Sequence, residues 1–170
     1  HIPAMSALGL MRSSTESFHG ATPAYLSVAT EAVRKIRNNL KCINPVGPII
    51  GISWHSKAKR VGARRSISIS DLIKLLPYEA LIVNLQYGDV TDDISLAKTV
   101  KGREVHVIPD ADLTNNMEDL CAAILACDSV VSIDNSTVHF AGALNKKCDV
   151  LLPYGADWRW GPHGTSKSYW

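Results

Sequence analysis

The chain alternates between short apolar runs and longer segments in which apolar positions recur with the period of a helix. The apolar runs are rich in Ile and Val and are bounded by polar or turn residues. Such nearly continuous runs are typical of strands that are buried on both faces of a parallel sheet. The pattern predicts five strands, at residues 49–54, 80–85, 105–108, 129–133 and 149–152.

Helical periodicity occupies the stretches before and between these runs. Polar residues able to cap a helix precede several of the helical stretches. We predict Ser70 as the cap of the second helix, and Asn115 or Asn116 as the cap of the fourth. The helices are predicted at residues 25–40, 70–76, 91–99, 117–127 and 137–144. Residues 1–24 and the tail from Pro153 are predicted as irregular structure.

Strands that alternate with helices indicate an α/β fold. Right-handed crossovers then give a doubly wound, Rossmann-like parallel sheet of five to six strands, for which we predict the order 3-2-1-4-5. In such sheets ligands bind beyond the carboxyl ends of the strands, where the strand order reverses. We therefore expect the site between the loops that follow strands one and four.

The loop after strand four carries the first candidate site. Asp134, Asn135, Ser136 and Thr137 cluster where a helix must begin. One of them caps the helix, and the remaining backbone N–H groups and the helix dipole favour an anion there. An ordinary helix cap with no ligand explains the same residues equally well.

The loop after strand one carries the second candidate site. It holds His55 and then five basic side chains, which are Lys57, Lys59, Arg60, Arg64 and Arg65. Placed beside the switch point, they are suited to neutralise a pair of phosphates. A solvated basic loop is the alternative interpretation.

Composition narrows the functional classes. The formal net charge of +2 is too balanced for a broad basic face that binds nucleic acid. The four cysteines form no Cys-x-x-Cys pair and no zinc-ligand spacing, which favours buried free thiols in a reducing compartment. No apolar stretch is long enough to span a membrane and no signal peptide leads the chain, so we expect a cytoplasmic location. Neither a dinucleotide-binding glycine motif, a P-loop nor a hydrolase nucleophile elbow is present.

The loop and tail residues together resemble a known family. The run Asp134-Asn135-Ser136-Thr137-Val138-His139-Phe140-Ala141-Gly142-Ala143, followed by Leu151-Leu152-Pro153 and by Asp157-Trp158-Arg159-Trp160-Gly161, is similar to the C-terminal glycosyltransferase-like domain of bacterial tetratricopeptide-repeat proteins. Gly51-Ile52-Ser53-Trp54 and Leu85-Gln86-Tyr87-Gly88 match in order and spacing. These domains resemble heptosyltransferases and, more distantly, O-linked N-acetylglucosamine transferase.

The resemblance implies the C-terminal half of a GT-B fold, which holds a nucleoside diphosphate sugar as donor substrate and uses no metal or other cofactor. Residues 1–45 are then the linker and lead-in helix from a missing N-terminal domain, and residues 46–170 are the nucleotide-sugar-binding domain. The partners implied are that missing domain, tetratricopeptide repeats in the parent protein, and an acceptor, protein or glycan, that the resemblance does not name.

The resemblance also assigns roles to residues. Asn135, Ser136, Thr137 and Val138 are implied to hold the diphosphate, and His139 and Asp134 are the candidate catalytic residues, although a supporting role in the phosphate loop is the alternative for both. The remaining nucleotide- or phosphate-binding positions implied are Ser53, Trp54, His55, Lys59, Arg65, Gln86 and Tyr87.

His55-Ser56-Lys57 and Asn145-Lys146-Lys147 depart from the residues typical of the family. The start at His1 and the end at Trp170 indicate a piece of a longer protein, so we expect the isolated chain to bind a nucleotide without turning over. A non-catalytic nucleotide- or protein-binding module of a repeat protein is the first alternative. An unrelated domain of the flavodoxin type is the second, and a bound yellow flavin would reveal it.

Overall fold

A computed structural model describes residues 24–100 and 102–156, together with Ser14 and Trp160. Its sheet contains five strands, each close to one of the five predicted apolar runs. They are β1 (Ile49–Ser53), β2 (Leu81–Asn84), β3 (Val105–His106), β4 (Ser129–Ile133) and β5 (Cys148–Leu151). β1 and β4 are buried along almost their whole length, as strands covered on both faces must be.

Six helices lie before and between the strands in the described part of the chain. They are α1 (Thr30–Ile43), α2 (Gly62–Arg65), α3 (Ile69–Lys74), α4 (Thr91–Lys98), α5 (Met117–Ala126) and α6 (Ser136–Ala143). Asn116 caps α5 and Asn135 caps α6, in each case with the side-chain oxygen accepting a backbone N–H of the first turn.

All strand pairs are parallel, and the order across the sheet is β3-β2-β1-β4-β5. This confirms the doubly wound α/β prediction together with its strand order. The register pairs Ile52 with Asn84 and Ser53 with Ser132, so the carboxyl ends of β2, β1 and β4 finish side by side. The reversal of strand order falls between β1 and β4, where the site was expected.

Two apolar layers cover the sheet. On one face α1, α5 and α6 pack through residues such as Leu40, Ile124 and Ala141. On the other face α3 and α4 pack through Leu72 and Ala97. Trp54, at the end of β1, is 2% exposed and belongs to this second layer.

The helices differ from the sequence prediction in three main respects. α1 begins at Thr30, and the preceding Tyr25 and Leu26 are non-helical and donate their backbone N–H groups to the Ala143 carbonyl at the end of α6. The cap of α3 is Ser68, whose extended backbone lets its hydroxyl accept the Asp71 N–H, so the prediction of Ser70 was wrong. The short helix α2 was not predicted.

Residues 1–13, 15–23 and 157–159, on which the linker and most of the Asp157–Gly161 motif were predicted, lie outside the described residues, as do residues 161–170. Among the helices that are described, none has both the length and the apolar character needed to cross a bilayer.

Candidate functional site

Gln86 joins the ends of β1 and β2 beneath the switch point. Its side chain is 2% exposed, and its Oε1 accepts hydrogen bonds from the Ser53 hydroxyl at 2.9 Å, the Trp54 N–H at 3.0 Å and the His55 N–H at 2.9 Å. Its Nε2 donates to the Tyr87 carbonyl at 3.3 Å. The amide of Gln86 is therefore used inside the protein, and it fixes where the chain leaves β1.

Asn135 makes the matching connection to β4. Its Nδ2 donates to the Ser53 Oγ at 2.7 Å, and its Oδ1 accepts from the Thr137 N–H at 3.0 Å and from the Ser132 hydroxyl at 3.1 Å. Gln86, Ser53 and Asn135 thus form one buried chain of hydrogen bonds across three strand ends. Buried polar groups that are fully paired in this way specify a single arrangement of the backbone.

The first turn of α6 begins next to this buried network, directly after Asn135. Its leading backbone N–H groups have no acceptor within the helix, and Asn135 supplies one only to Thr137. Ser136 is exposed, whereas Thr137 and Val138 are buried. The N–H of Ser136 therefore belongs to an accessible residue at the positive end of the helix dipole, which is the arrangement that favours an anion.

The basic loop after β1 is a closed structure. Its two ends are tied by the Ile67 N–H, which donates to the Trp54 carbonyl at 3.0 Å. Inside it, the Ser66 hydroxyl accepts from the Ser56 N–H at 3.0 Å and donates to the Gly62 carbonyl at 2.8 Å. A Cβ atom at position 62 would overlap the Ser56 carbonyl, so only glycine permits this closure.

The loop divides its positive side chains into two groups. Arg65 points inward, with its Nε 3.2 Å from the Oδ2 of Asp134, and their side chains are 23% and 2% exposed. The others are exposed at the surface, namely Lys57, Lys59, Arg60 and Arg64, as is the imidazole of His55. Most of the positive charge predicted at this edge is therefore accessible, and one guanidinium is committed to a buried carboxylate.

A cavity of about 220 Å³ lies beside the start of α6. Tyr87, from the loop after β2, lines it, and the Tyr87 hydroxyl accepts the Lys57 N–H at 3.2 Å. The Lys57 ammonium lies 5.8 Å from the centroid of the Tyr87 ring, a cation–π arrangement. The residues that line the cavity are Tyr87, Leu113, Thr114, Asn116, Met117, Leu120, Ser136 and Phe140.

His139 stacks against Trp160, with ring centroids 5.6 Å apart and planes 17° from parallel. Trp160 is 8% exposed, so this indole covers one face of the imidazole. The Oγ1 of Thr137 is buried and has no hydrogen-bond partner in the described part of the chain. The two predicted catalytic candidates are thus both held by other side chains: His139 stacks on Trp160, and Asp134 pairs with Arg65.

The structure brings most of the predicted site residues to one edge of the sheet, with different surroundings. Ser53, Gln86 and Asn135 lie in the buried network, and Trp54 is in the core with its indole N–H donating to Asp93 at 2.8 Å. The prediction of binding residues did not include Thr114, Asn116 and Met117 of the cavity. Their segment precedes a helix whose cap was predicted, but nothing in the sequence brought it next to Tyr87.

No group of three or more His, Cys, Asp or Glu side chains in the described residues is arranged to hold a metal ion. No model of a known protein family matches the chain, and no solved structure matches it. The chain is 30% identical over 138 residues to Protein FlbA of Caulobacter vibrioides. That match covers 79% of this chain but only 22% of FlbA, so the chain spans about a fifth of the relative's length. The name FlbA states no ligand and no reaction, and the functional argument rests on the geometry of the site.

Proposed function

We propose that this domain binds a nucleoside diphosphate sugar and is the donor-binding half of a metal-independent GT-B glycosyltransferase. The observation that carries the proposal is the juxtaposition of three features at the switch point. They are the open first turn of α6, an exposed basic loop beside it, and a cavity that Tyr87 and Ser136 both line. A nucleoside diphosphate sugar has the matching parts, a doubly charged diphosphate and a flat base joined to it through the ribose.

In this proposal the Ser136 N–H and the helix dipole stabilise the diphosphate, and the exposed Lys57 supplies a positive charge. Lys57 is favoured over Lys59 because its ammonium lies over Tyr87, a wall of the cavity. Such groups stabilise a leaving diphosphate as its negative charge grows during glycosyl transfer. The base and ribose occupy the cavity between Tyr87 and Met117. The acceptor and its base come from outside this chain.

The test for the helix N-terminus uses two substitutions at one position. Ser136→Pro removes the backbone N–H, and the first position of a helix tolerates proline. The extended backbone of Asn135 is also compatible with a following proline. Ser136→Ala removes only the hydroxyl. UDP, GDP and ADP are titrated by calorimetry into each protein.

We expect Ser136→Pro to weaken binding of the preferred nucleotide by about tenfold, the worth of one hydrogen bond to a charged group. Ser136→Ala should retain most of the affinity, and the melting temperatures should stay close together. If none of the three nucleotides binds wild-type protein at millimolar concentration, the proposal fails. Equal nucleotide affinities of the Pro and Ala variants would show that the helix N-terminus does not contribute to binding.

Lys57→Met tests the basic loop, with Lys35→Met on α1 as a matched control, since Lys35 is exposed and does not line the cavity. Only Lys57→Met should weaken nucleotide binding, and it should reduce the salt dependence of the affinity. Identical salt dependence in the two variants would argue against a phosphate contact by Lys57.

A non-catalytic nucleotide-binding module is the second candidate function. The observation that favours it is the burial of Asp134 against Arg65, which leaves this carboxylate no access to an acceptor. The two functions differ in turnover. A longer parent polypeptide that binds the nucleotide but neither transfers nor hydrolyses the sugar of UDP-, GDP- or ADP-sugars would support the module.

A further inference from the structure

We infer that Arg65 and Asp134 form a latch that holds the basic loop against the start of α6, and that both are positioning residues and not ligand contacts. This inference rests on the proposed function for its effect on nucleotide binding. The resemblance implied that Arg65 binds phosphate and that Asp134 is catalytic, whereas in the structure the two side chains form an ion pair.

Burial is the first argument. The Asp134 side chain is 2% exposed, and among the described residues its buried Oδ2 has no hydrogen bond and only Arg65 as ion-pair partner. A carboxylate taken out of water is costly unless a positive group compensates it. If Arg65 moved to a phosphate, it would leave Asp134 buried and uncompensated. The pair therefore holds Arg65 in place when a ligand arrives.

Position is the second argument. Asp134 directly precedes the cap of α6, and Arg65 ends α2 within the closed loop. The ties between Trp54 and Ile67 and between Ser56 and Ser66 are internal to the loop. At its start the loop is also held from outside, by Gln86 and Asn135 at His55 and by Tyr87 at Lys57. The ion pair joins the loop to the strand that leads into the anion-binding turn. At the far end of the loop it thus helps to set the distance between the exposed cations and the helix N-terminus, which the Asn135–His55 hydrogen bond sets at the near end.

Electrostatics is the third argument. An unpaired carboxylate one residue before the cap would repel a diphosphate at the helix N-terminus. Arg65 neutralises the Asp134 carboxylate, so the potential at the ligand position is set by the helix dipole and the exposed cations. Loss of Arg65 should therefore harm the site twice, by freeing the loop and by uncovering a negative charge.

The experiment is a double-mutant cycle with Arg65→Met, Asp134→Asn and the two combined. The matched control is Arg34→Met, which breaks an exposed ion pair with Glu31 on α1. Two readouts are taken on each protein, well below its melting temperature. One is amide hydrogen exchange at Ser56 and Gly62 in the absence of nucleotide. The other is the dissociation constant for UDP, GDP and ADP by calorimetry.

We expect both single variants to exchange at least about tenfold faster at these loop amides, while the amides of β2 and the Arg34→Met control stay as in wild type. Each single variant should also weaken nucleotide binding. Adding Asp134→Asn to Arg65→Met should recover part of both losses, because the uncompensated carboxylate is then gone. A general loss of stability would not speed exchange at the loop amides relative to the amides of β2, nor would it weaken nucleotide binding well below the melting temperature.

Two results would overturn the latch. Tighter nucleotide binding by Asp134→Asn would mean that Asp134 competes with the ligand for Arg65, which would make Arg65 a phosphate contact. Unchanged loop exchange in both single variants would mean that the pair does not hold the loop. If no nucleotide binds wild-type protein, the exchange data still decide the latch, and only the proposed function fails.

Discussion

Replacing Gln86 with leucine tests whether its side chain organises the switch point from within. The Oε1 of Gln86 accepts three hydrogen bonds, from the Ser53 hydroxyl and from the N–H groups of Trp54 and His55. Leucine has a similar size but no acceptor. The variant therefore removes the acceptor of three donors, and it also removes the Nε2 that donates to the Tyr87 carbonyl.

The magnitude follows from the burial of those donors. Ser53 and Trp54 are 0% and 2% exposed, so water cannot replace the lost acceptor for them. Each buried donor left without a partner costs about 1–3 kcal/mol. His55 is exposed, and its N–H regains a bond to water at little cost. We therefore expect Gln86→Leu to lower the free energy of unfolding by about 3 kcal/mol, a large part of the stability of an ordinary domain.

Urea unfolding followed by tryptophan fluorescence and by circular dichroism measures this difference, and coincidence of the two curves checks two-state behaviour. Asn115→Ala is the matched control, because it removes an exposed amide that hydrogen-bonds to Asp112 on the surface. It should cost less than about 1 kcal/mol. A loss for Gln86→Leu no larger than that of the control would refute the role given to Gln86.

Three further predictions concern stability and reactivity. Gly62→Ala should destabilise the domain and speed proteolysis of the loop after β1, because the added Cβ overlaps the Ser56 carbonyl; limited proteolysis that matches wild type would contradict this. Burial opposes ionisation of Asp128, but hydrogen bonds from a backbone N–H and an arginine outweigh this effect and hold the pKa of Asp128 below its ordinary value of 3.8. The ionised carboxylate therefore stabilises the fold above about pH 4, and this stabilisation is lost as the pH falls through the folded pKa. In urea titrations the free energy of unfolding of Asp128→Asn should therefore fall less than that of wild type between about pH 5 and pH 3. The difference should be under about 1 kcal/mol because the group is partly exposed, and an equal fall in both proteins would contradict the prediction. Exposed Cys42 should react with a thiol reagent in the native protein. Cys127 is buried, and burial raises its pKa to about 12, so it should react only on unfolding; mass spectrometry of the labelled peptides measures both reactions.

The strands could be predicted because burial on both faces leaves a direct mark on the sequence. The apolar runs at 49–54 and 129–133 lie almost where β1 and β4 do. The predicted strand order, which the right-handed crossover rule allows together with others, is the one observed. Helix ends were predicted less well, since the choice between Ser68 and Ser70 as a cap depends on backbone angles that neighbouring structure sets.

The composition of the site could be predicted, but the roles of its residues could not. A polar residue at a strand end has the same appearance in sequence whether it faces a ligand or a neighbouring strand. Asn135 and Ser53 are 82 positions apart and hydrogen-bond at 2.7 Å, a contact that no local pattern records. The cavity likewise needs Tyr87 and Met117 from separate loops.

The layered α/β fold, the switch point and the two loops that meet there could all be predicted from the sequence, because hydrophobic periodicity and capping residues act locally. The use of each polar residue depends instead on the folded arrangement. That arrangement buried Gln86 and Asn135 as connections between strands and paired Arg65 with Asp134. It also left Lys57 and Ser136 exposed beside a cavity. The physical reason is that burial and charge pairing depend on which distant segments come together, whereas residue type alone sets only what each side chain is able to bind.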